Sequence, residues 1–295
     1  MQKIPAYHPF VSAEAKAEYL KMYDEKAKEW PVPSETRTVD TSYGQTFVRI
    51  SGPAGAPPLV LLSGLGGNSL FWKAQAKALS ECYRIYAVDD VYGYGRSVFT
   101  RKIDTVDDVV SWLNDLLHEL RLGRVSLVGI SYGGWQAGRY ALRHPEKLDK
   151  VVLLAPGATI LPVREEILVR IATEYASPRD LLFWMNEDFA RKDEASRKAL
   201  EALIDESMVT GRCFNFKPML APTVMEDEEL RSLRIPVLFL LGENEKLYST
   251  PDAVARLQQV APHHRVEVIP HAGHDLNLVA AEEINRIVLE FLAEP

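Results

Sequence analysis

Four short stretches, "PPLVLLSG", "YRIYAVDD", "RVSLVGIS" and "KVVLLAPG", are almost wholly apolar, and segments of helical character separate them. A strand with one wet face alternates polar and apolar residues; an uninterrupted apolar strand must be covered on both faces. That requirement points to an α/β architecture, a mostly parallel central sheet flanked by helices. One cover is Val106–Leu122, which carries Val109, Val110, Leu113, Leu116, Leu117 and Leu120 on one face at helical spacing. Upstream, Ala13–Trp30 reads as an amphipathic helix stopped by Pro31, and "ETRTVD" and "QTFVRISG" form a strand pair around "TSYG". Downstream come the strand "IPVLFLLGENE", a helix over Pro251–Val260, the strand "RVEVIPHAGH", and a final helix with Ile284, Ile287, Val288, Phe291 and Leu292 on one side.

The alternation of strand and helix breaks between Ala158 and Leu233, where the chain reads as helical throughout with no β-rich run. We therefore expect a core formed by 1–157, including the N-terminal helix, and 233–295, with 158–232 inserted as a helical cap. The cap carries Leu182, Phe183, Trp184, Met185, Phe189, Met208, Phe214, Phe216 and Met219. These side chains either pack the cap onto the core or roof an apolar pocket, and the pattern fits both.

Charge excludes several partners. Lys plus Arg number 34 against 41 Asp plus Glu, a formal charge of -7, with no basic stripe, so nucleic acid is not expected. The opening "MQKIPAYHPF" has prolines and a histidine where a signal peptide would need a continuous apolar segment, so none is expected, and no stretch approaches the roughly 18 apolar residues a membrane span needs. A cytoplasmic protein without a membrane partner is the expectation. The two cysteines, Cys82 and Cys213, supply no disulfide framework and are expected to pack; no His-Glu-x-x-His or His/Cys cluster calls for a metal, and no cofactor is expected.

Chemistry enters at "LVGISYGGWQ", Leu127 to Gln136. Gly-x-Ser-x-Gly between a buried strand and a helix is the pattern of a nucleophile elbow, a turn so sharp that the serine takes strained backbone angles. It would lift the Ser131 hydroxyl to the N-terminus of the next helix, where the Tyr132 amide can stabilise an oxyanion. A serine needs a base, and the base an orienting acid, at other strand ends. His274 in "PHAGHD" follows the last strand, whereas His271 is nearer that strand and reads as structural. For the acid, "LLGENEKLYS" offers Glu243 and Glu245; Glu245, three residues past Gly242, has more room to turn toward His274. The loop "LLSGLGGNSLFW" would give a second oxyanion donor, the Leu65 amide, with Ser63 where a histidine is common.

Together with "DVYGYGRS", which holds Asp90, Gly93, Gly95 and Ser97, these motifs resemble the α/β-hydrolase superfamily from about Thr36 to Phe291. "WPVP", "SYGGW" and "GENE" are similar to the bacterial carboxylesterase NP group. The resemblance implies an α/β-hydrolase fold and serine-dependent hydrolysis of bulky esters under a helical cap, with Ser131, Glu245 and His274 as the triad. Esterases of macrocyclic lactones such as macrolide antibiotics are similar too, so the small-molecule substrate is expected to be a bulky, largely apolar ester or lactone. Phe71, Trp72, Trp135, Phe183, Trp184 and Phe216 are the expected lining. The sequence does not read out an oligomeric state.

Two rivals remain. "LVLLSGLGGNS" also resembles a dinucleotide fingerprint, with Gly64 and Gly66 before a helix and Asp89 or Asp90 after the next strand, which would make an NAD-dependent enzyme. A non-hydrolytic receptor or a cofactor-free peroxidase on the same fold would keep the triad residues. Epoxide hydrolases and haloalkane dehalogenases use an aspartate at the elbow, so Ser131 argues against both.

Overall fold

A computed structural model of the protein describes residues 5–90, 93–173, 178–215 and 219–295. The chain divides into two compact units, 1–123 with 206–221, and 124–205 with 222–295.

In the first unit, α1 (Ala13–Ala27) is capped by the Ser12 hydroxyl, which accepts the Ala15 N–H. The helix ends three residues before Trp30, and Tyr19 and Tyr23 alone are its buried residues, a narrower face than the pattern of Ala13–Trp30 suggested. Strands β1 (Ser34–Thr41) and β2 (Gly44–Ser51) form the expected antiparallel hairpin. β1 is exposed along most of its length, as an outer strand is, while β2 is buried from Thr46 onward. β3 (Pro58–Leu62) leads through a 3-10 turn, Ser69–Trp72, into α2 (Lys73–Cys82) and β4 (Arg84–Val88). β4 runs parallel to β3 and antiparallel to β2, and the short β5 (Val98–Phe99) also pairs with β2. α3 (Val106–Glu119) starts on a capping box made by Thr105 and Asp108 and buries Val109, Val110, Leu113, Leu116 and Leu117 as their spacing requires.

The second unit holds a run of parallel strands. β6 (Val125–Ile130), β7 (Leu148–Leu154) and β8 (Val237–Gly242) pair in sequence, and β9 (Arg265–Ile269) pairs with β8. Every residue of β6 and β8 is buried, the outcome that an unbroken apolar run demands. α4 (Tyr132–Arg143) follows β6 directly. After β7 come α5 (Glu165–Thr173), α6 (Pro178–Met185), α7 (Glu187–Lys192), α8 (Glu194–Cys213), which from Glu206 onward belongs to the first unit, and α9 (Asp227–Ser232). α10 (Thr250–Val260), α11 (Leu276–Val279) and α12 (Ala281–Ala293) complete the unit. The last of these buries Ile284, Ile287, Val288, Phe291 and Leu292, the stripe legible in its sequence.

Three expectations need correction. Residues 158–232 are not helical throughout, because 158–164 and 219–226 are irregular. Phe214, at the end of α8, belongs to the first unit, where its ring lies 4.3 Å from Phe10 and 4.7 Å from Tyr19. Cys82 is exposed at the end of α2, so only Cys213 is a packing residue.

The dinucleotide reading also fails. Asp89 would have to face a ribose, yet it is fully buried and accepts the N–H groups of Ser69 (2.8 Å) and Arg96 (2.7 Å) and the Tyr23 hydroxyl. Burial raises its pKa, and Asp90 is only 3% exposed. Asp89 fastens α1 and the Arg96 turn to the end of β4.

Candidate active site

Every side chain of the expected triad belongs to the second unit. β6 delivers the first of them. Ser131 sits between β6 and α4 with φ 53 and ψ -116, a left-handed conformation that a serine holds only where its surroundings impose it. Those surroundings are visible: the Ser131 N–H donates to the Leu154 carbonyl (2.9 Å), and the Ser131 carbonyl accepts from Gly157 (3.0 Å) and Trp135 (3.1 Å). The glycines around the serine are there because of close approach. A Cβ on Gly129 would lie 2.2 Å from the Gly133 carbonyl oxygen and 2.7 Å from the Gly134 nitrogen, so any larger residue would prise strand and helix apart.

β8 and β9 deliver the other two in the same way. A Cβ on Gly242, the last residue of β8, would meet the Gly273 and Ala272 carbonyls at 2.3 and 2.5 Å. The loops after β8 and β9 can therefore run against each other. The Asn244 N–H donates to the Ala272 carbonyl, and the Glu243 N–H to Ile269, both at 2.9 Å.

On these loops His274 Nδ1 lies 2.9 Å from Glu245 Oε2, and His274 Nε2 lies 2.8 Å from Ser131 Oγ. An ionised carboxylate only accepts, so Nδ1 carries the proton and Nε2 is left as the acceptor of the serine hydroxyl. Glu245 Oε1 accepts the amides of Lys246 (2.8 Å) and Leu247 (2.9 Å), so the carboxylate is fully engaged although its side chain has no exposure. Burial disfavours both charged forms, but the mutual attraction of imidazolium and carboxylate prevails. His274 is held above the ordinary histidine value and Glu245 below the ordinary carboxylate value.

The neighbouring alternatives do other work. Glu243 is half exposed and accepts the His271 N–H at 2.8 Å, which braces the turn at His271, whose φ is 57. The His271 imidazole itself is 94% exposed. Tyr132 opens α4 and is buried. Leu65 lies in the first unit, 54% exposed, on a turn closed by the Gly67 N–H to the Gly64 carbonyl (2.9 Å) with Gly66 at φ 75. Ser63 is buried, and its Oγ would lie 2.9 Å from a Cβ on Gly67, so the close approach needs glycine there.

The expected lining residues differ in burial. Trp72 and Trp135 have no exposure, and the Trp135 ring N–H donates to the Thr223 carbonyl at 3.1 Å. Both are core residues in the structure, a correction to their expected place on an open wall. Tryptophan, as a large apolar ring, is highly buried on average. Phe71 is half-buried, with its ring edge-on to Trp72 at 5.9 Å. Phe183 and Trp184 are half-buried on α6. The Arg170 guanidinium lies 3.9 Å from the Trp184 ring centre, and Lys246 Nζ 4.7 Å from it. Phe216 falls outside the described residues.

Sequence reading missed the residues that immediately follow the acid and the base. Lys246 reaches back to the Trp184 carbonyl and to Glu187 (2.9 Å), and Asp275 accepts the Phe189 N–H (2.8 Å). The signal in the sequence is only a charged residue next to an apolar one, in "GENEKLY" and "GHDLNL". No group of His, Cys, Asp and Glu fit to hold a metal occurs among the described residues. Among them, too, no helix is long and apolar enough to cross a membrane.

Residues 59–287 match the alpha/beta hydrolase family. The chain belongs to that family. It is 30% identical over 290 residues to carboxylesterase YbfK of Bacillus subtilis (strain 168), covering 96% of each chain. It is 32% identical over 282 residues to the uncharacterized carboxylesterase nap of the same organism, covering 92% of this chain and 91% of the relative. The crystal structure of naproxen esterase (carboxylesterase NP) from Bacillus subtilis superposes with a TM-score of 0.84 at 32% identity, over 95% of this chain and 99% of that one. The fold is thus the α/β-hydrolase fold, and the chain is an enzyme of the carboxylesterase type.

Proposed function

We propose that this member of the family is a serine carboxylesterase that works through an acyl-enzyme, with Ser131, His274 and Glu245 as its triad. The observation that carries the reading is the unbroken hydrogen-bonded line from a sealed carboxylate through an imidazole to a serine on a strained elbow. Ser131 Oγ attacks the ester carbonyl carbon while His274 Nε2 takes the hydroxyl proton. The same imidazolium then protonates the departing alcohol, leaving the acyl group on Ser131. Water, deprotonated by His274, attacks that acyl carbon, and the acid leaves as the serine recovers its proton. The Tyr132 amide, at the start of α4, is the oxyanion donor this reading uses; the second, the Leu65 amide, rests on the sequence motif after β3.

For substrate we propose a bulky, largely apolar ester or lactone, recognised beneath residues 158–232 acting as a cap. The half-buried Phe183 and Trp184 on α6 support this, as does the relative named naproxen esterase, whose name denotes a bulky aromatic acid. Covering such a group would contribute several kcal/mol at about 25 cal/mol per Å² of apolar area. A cytoplasmic location is part of the same reading, supported by cysteines that are both free.

A turnover screen over short-chain aryl esters, long-chain lipid esters, aryl-propionate esters and macrocyclic lactones tests the proposal. Aryl-propionate or macrocyclic members should lead in kcat/KM, and Trp184→Ala should reduce that lead. Preference for acetate or butyrate esters, unchanged by Trp184→Ala, would defeat the substrate proposal. Absence of turnover on every ester would instead favour a receptor.

A further inference from the structure

The helical segment meets the triad at two unusual places. The residue directly after the acid, Lys246, is only 9% exposed and holds α6 and α7 through the Trp184 carbonyl and Glu187. The residue directly after the base, Asp275, is only 3% exposed and accepts the Phe189 N–H of α7 through Oδ2 at 2.8 Å. Between these ties, Asn244 donates to Asp188 at 3.1 Å, and a Cβ on Gly273 would stand 3.0 Å from the same Asp188 oxygen. Lys192 closes the far end of α7 on the Val279 carbonyl at 3.0 Å. Ties this dense, made by the immediate chain neighbours of two reacting groups, do more than hold a roof in place.

We infer that Asp275 is a positioning residue for His274, fastening the histidine loop to α7 so that the imidazole stays in line between Glu245 and Ser131. The inference rests on the triad reading above. An exposed aspartate would suffice for solubility and a leucine for packing. A buried carboxylate facing a backbone amide is kept only where a strong, directional bond is needed. Asp275 Oδ2 accepts the Phe189 N–H, and the backbone amides of Gly273 and Asp275 also favour the charged carboxylate, so the side chain joins its own loop to α7. The cost is visible: burial, with Asp188 close by, raises the Asp275 pKa above the ordinary carboxylate value, and the Phe189 amide opposes that rise. Asp188 on α7 is the charged group that acts on the Asp275 carboxylate, while Glu245, Asp275 and Lys246 act on His274. His274 gains, since the Asp275 charge adds to that of Glu245 in favouring the imidazolium.

Two variants and two readouts test the inference. Asp275→Asn keeps an oxygen that can accept the Phe189 N–H but removes the charge; Asp275→Ala removes both. The His274 ring is followed by ¹⁵N NMR titration in the background of Ser131→Ala, which needs no turnover, and kcat and KM are measured with Ser131 present. Asp275→Ala should lower kcat by roughly ten- to hundredfold, the cost of a misplaced catalytic group, with KM changing less. It should also broaden or lose the Nδ1–H signal of the bond to Glu245. Asp275→Asn should keep that signal and return kcat to within about threefold of the wild type, while the His274 titration moves to lower pH because a negative charge is gone. A Nδ1–H signal and titration unchanged in both variants would overturn the inference whatever the turnover assays say. So would an asparagine variant as slow as the alanine one, since the acceptor oxygen would then not matter. Hydrolysis persisting in Ser131→Ala would instead strike at the triad reading, a separable result.

Discussion

Glu245→Gln is the substitution whose effect follows most completely from the geometry. The two oxygens of Glu245 serve three N–H donors, those of His274 Nδ1, Lys246 and Leu247. A glutamine has one acceptor oxygen, and if it keeps the two backbone amides its own NH₂ group faces His274 Nδ1. The imidazole then moves its proton to Nε2, the atom that must take the proton of Ser131, and the productive tautomer becomes the minor one. The charge lost matters as much. At an effective dielectric of about 20 and a separation of about 4 Å, a carboxylate stabilises an imidazolium by roughly 4 kcal/mol, and that imidazolium forms only as the reaction proceeds. The expected loss is on the order of a thousandfold or more in kcat, with KM little changed. The assay is steady-state ester hydrolysis across pH with a chromogenic aryl ester, alongside thermal unfolding to confirm that the variant is folded. The acid limb of its kcat/KM profile should also move to lower pH, because the charge that raised His274 is gone. A Gln variant within tenfold of the wild-type kcat, or a Glu243→Gln variant slower than it, would refute the reasoning.

In the wild type the same electrostatics set the pH profile: neutral His274 is the active form, and its pKa is raised, so kcat/KM should climb with a midpoint above the ordinary histidine value of about 6.5. A midpoint below that value would contradict the raised pKa. Gly129→Ala should cost several kcal/mol of stability, read as a lowered Tm or loss of soluble protein, because its Cβ would fall 2.2 Å from the Gly133 oxygen; unchanged unfolding would mean the elbow is looser than described. Arg139→Met should lower stability by about 2 to 4 kcal/mol, since the buried guanidinium binds Glu229 and the Thr223 and Val224 carbonyls; a Tm within a degree of wild type would deny those bonds their weight.

The parts legible in the sequence are those fixed by short-range pattern. β6, β8 and the Val151–Leu154 part of β7 are short apolar runs of strand length, and the α12 stripe from Ile284 to Leu292 has the spacing of one helix face. Ser131, His274 and Glu245 were legible because each stands just past a strand end, at a place where the fold turns side chains toward one another. Trp72 and Trp135 misled because a ring near a site and a ring in the core look alike until burial is known. The helical region was legible as helix but not in its packing: Phe214 joins Phe10 and Tyr19, which lie some two hundred positions away in the chain. Lys246 and Asp275 were missed for a related reason. A charged residue is read as solvated unless its partner is known, and their partners, Trp184, Glu187 and Phe189, come from a distant segment.

The most direct test of the central claim is to look for the acyl group itself. The enzyme is mixed with excess of a slowly deacylating aryl ester, quenched in acid within the first turnover, and its intact mass is measured before peptide mapping. The account predicts a mass gain equal to the acyl group, carried by the peptide that contains Ser131 and lost in Ser131→Ala. Acyl transfer to another residue, or full ester turnover by Ser131→Ala, would contradict it.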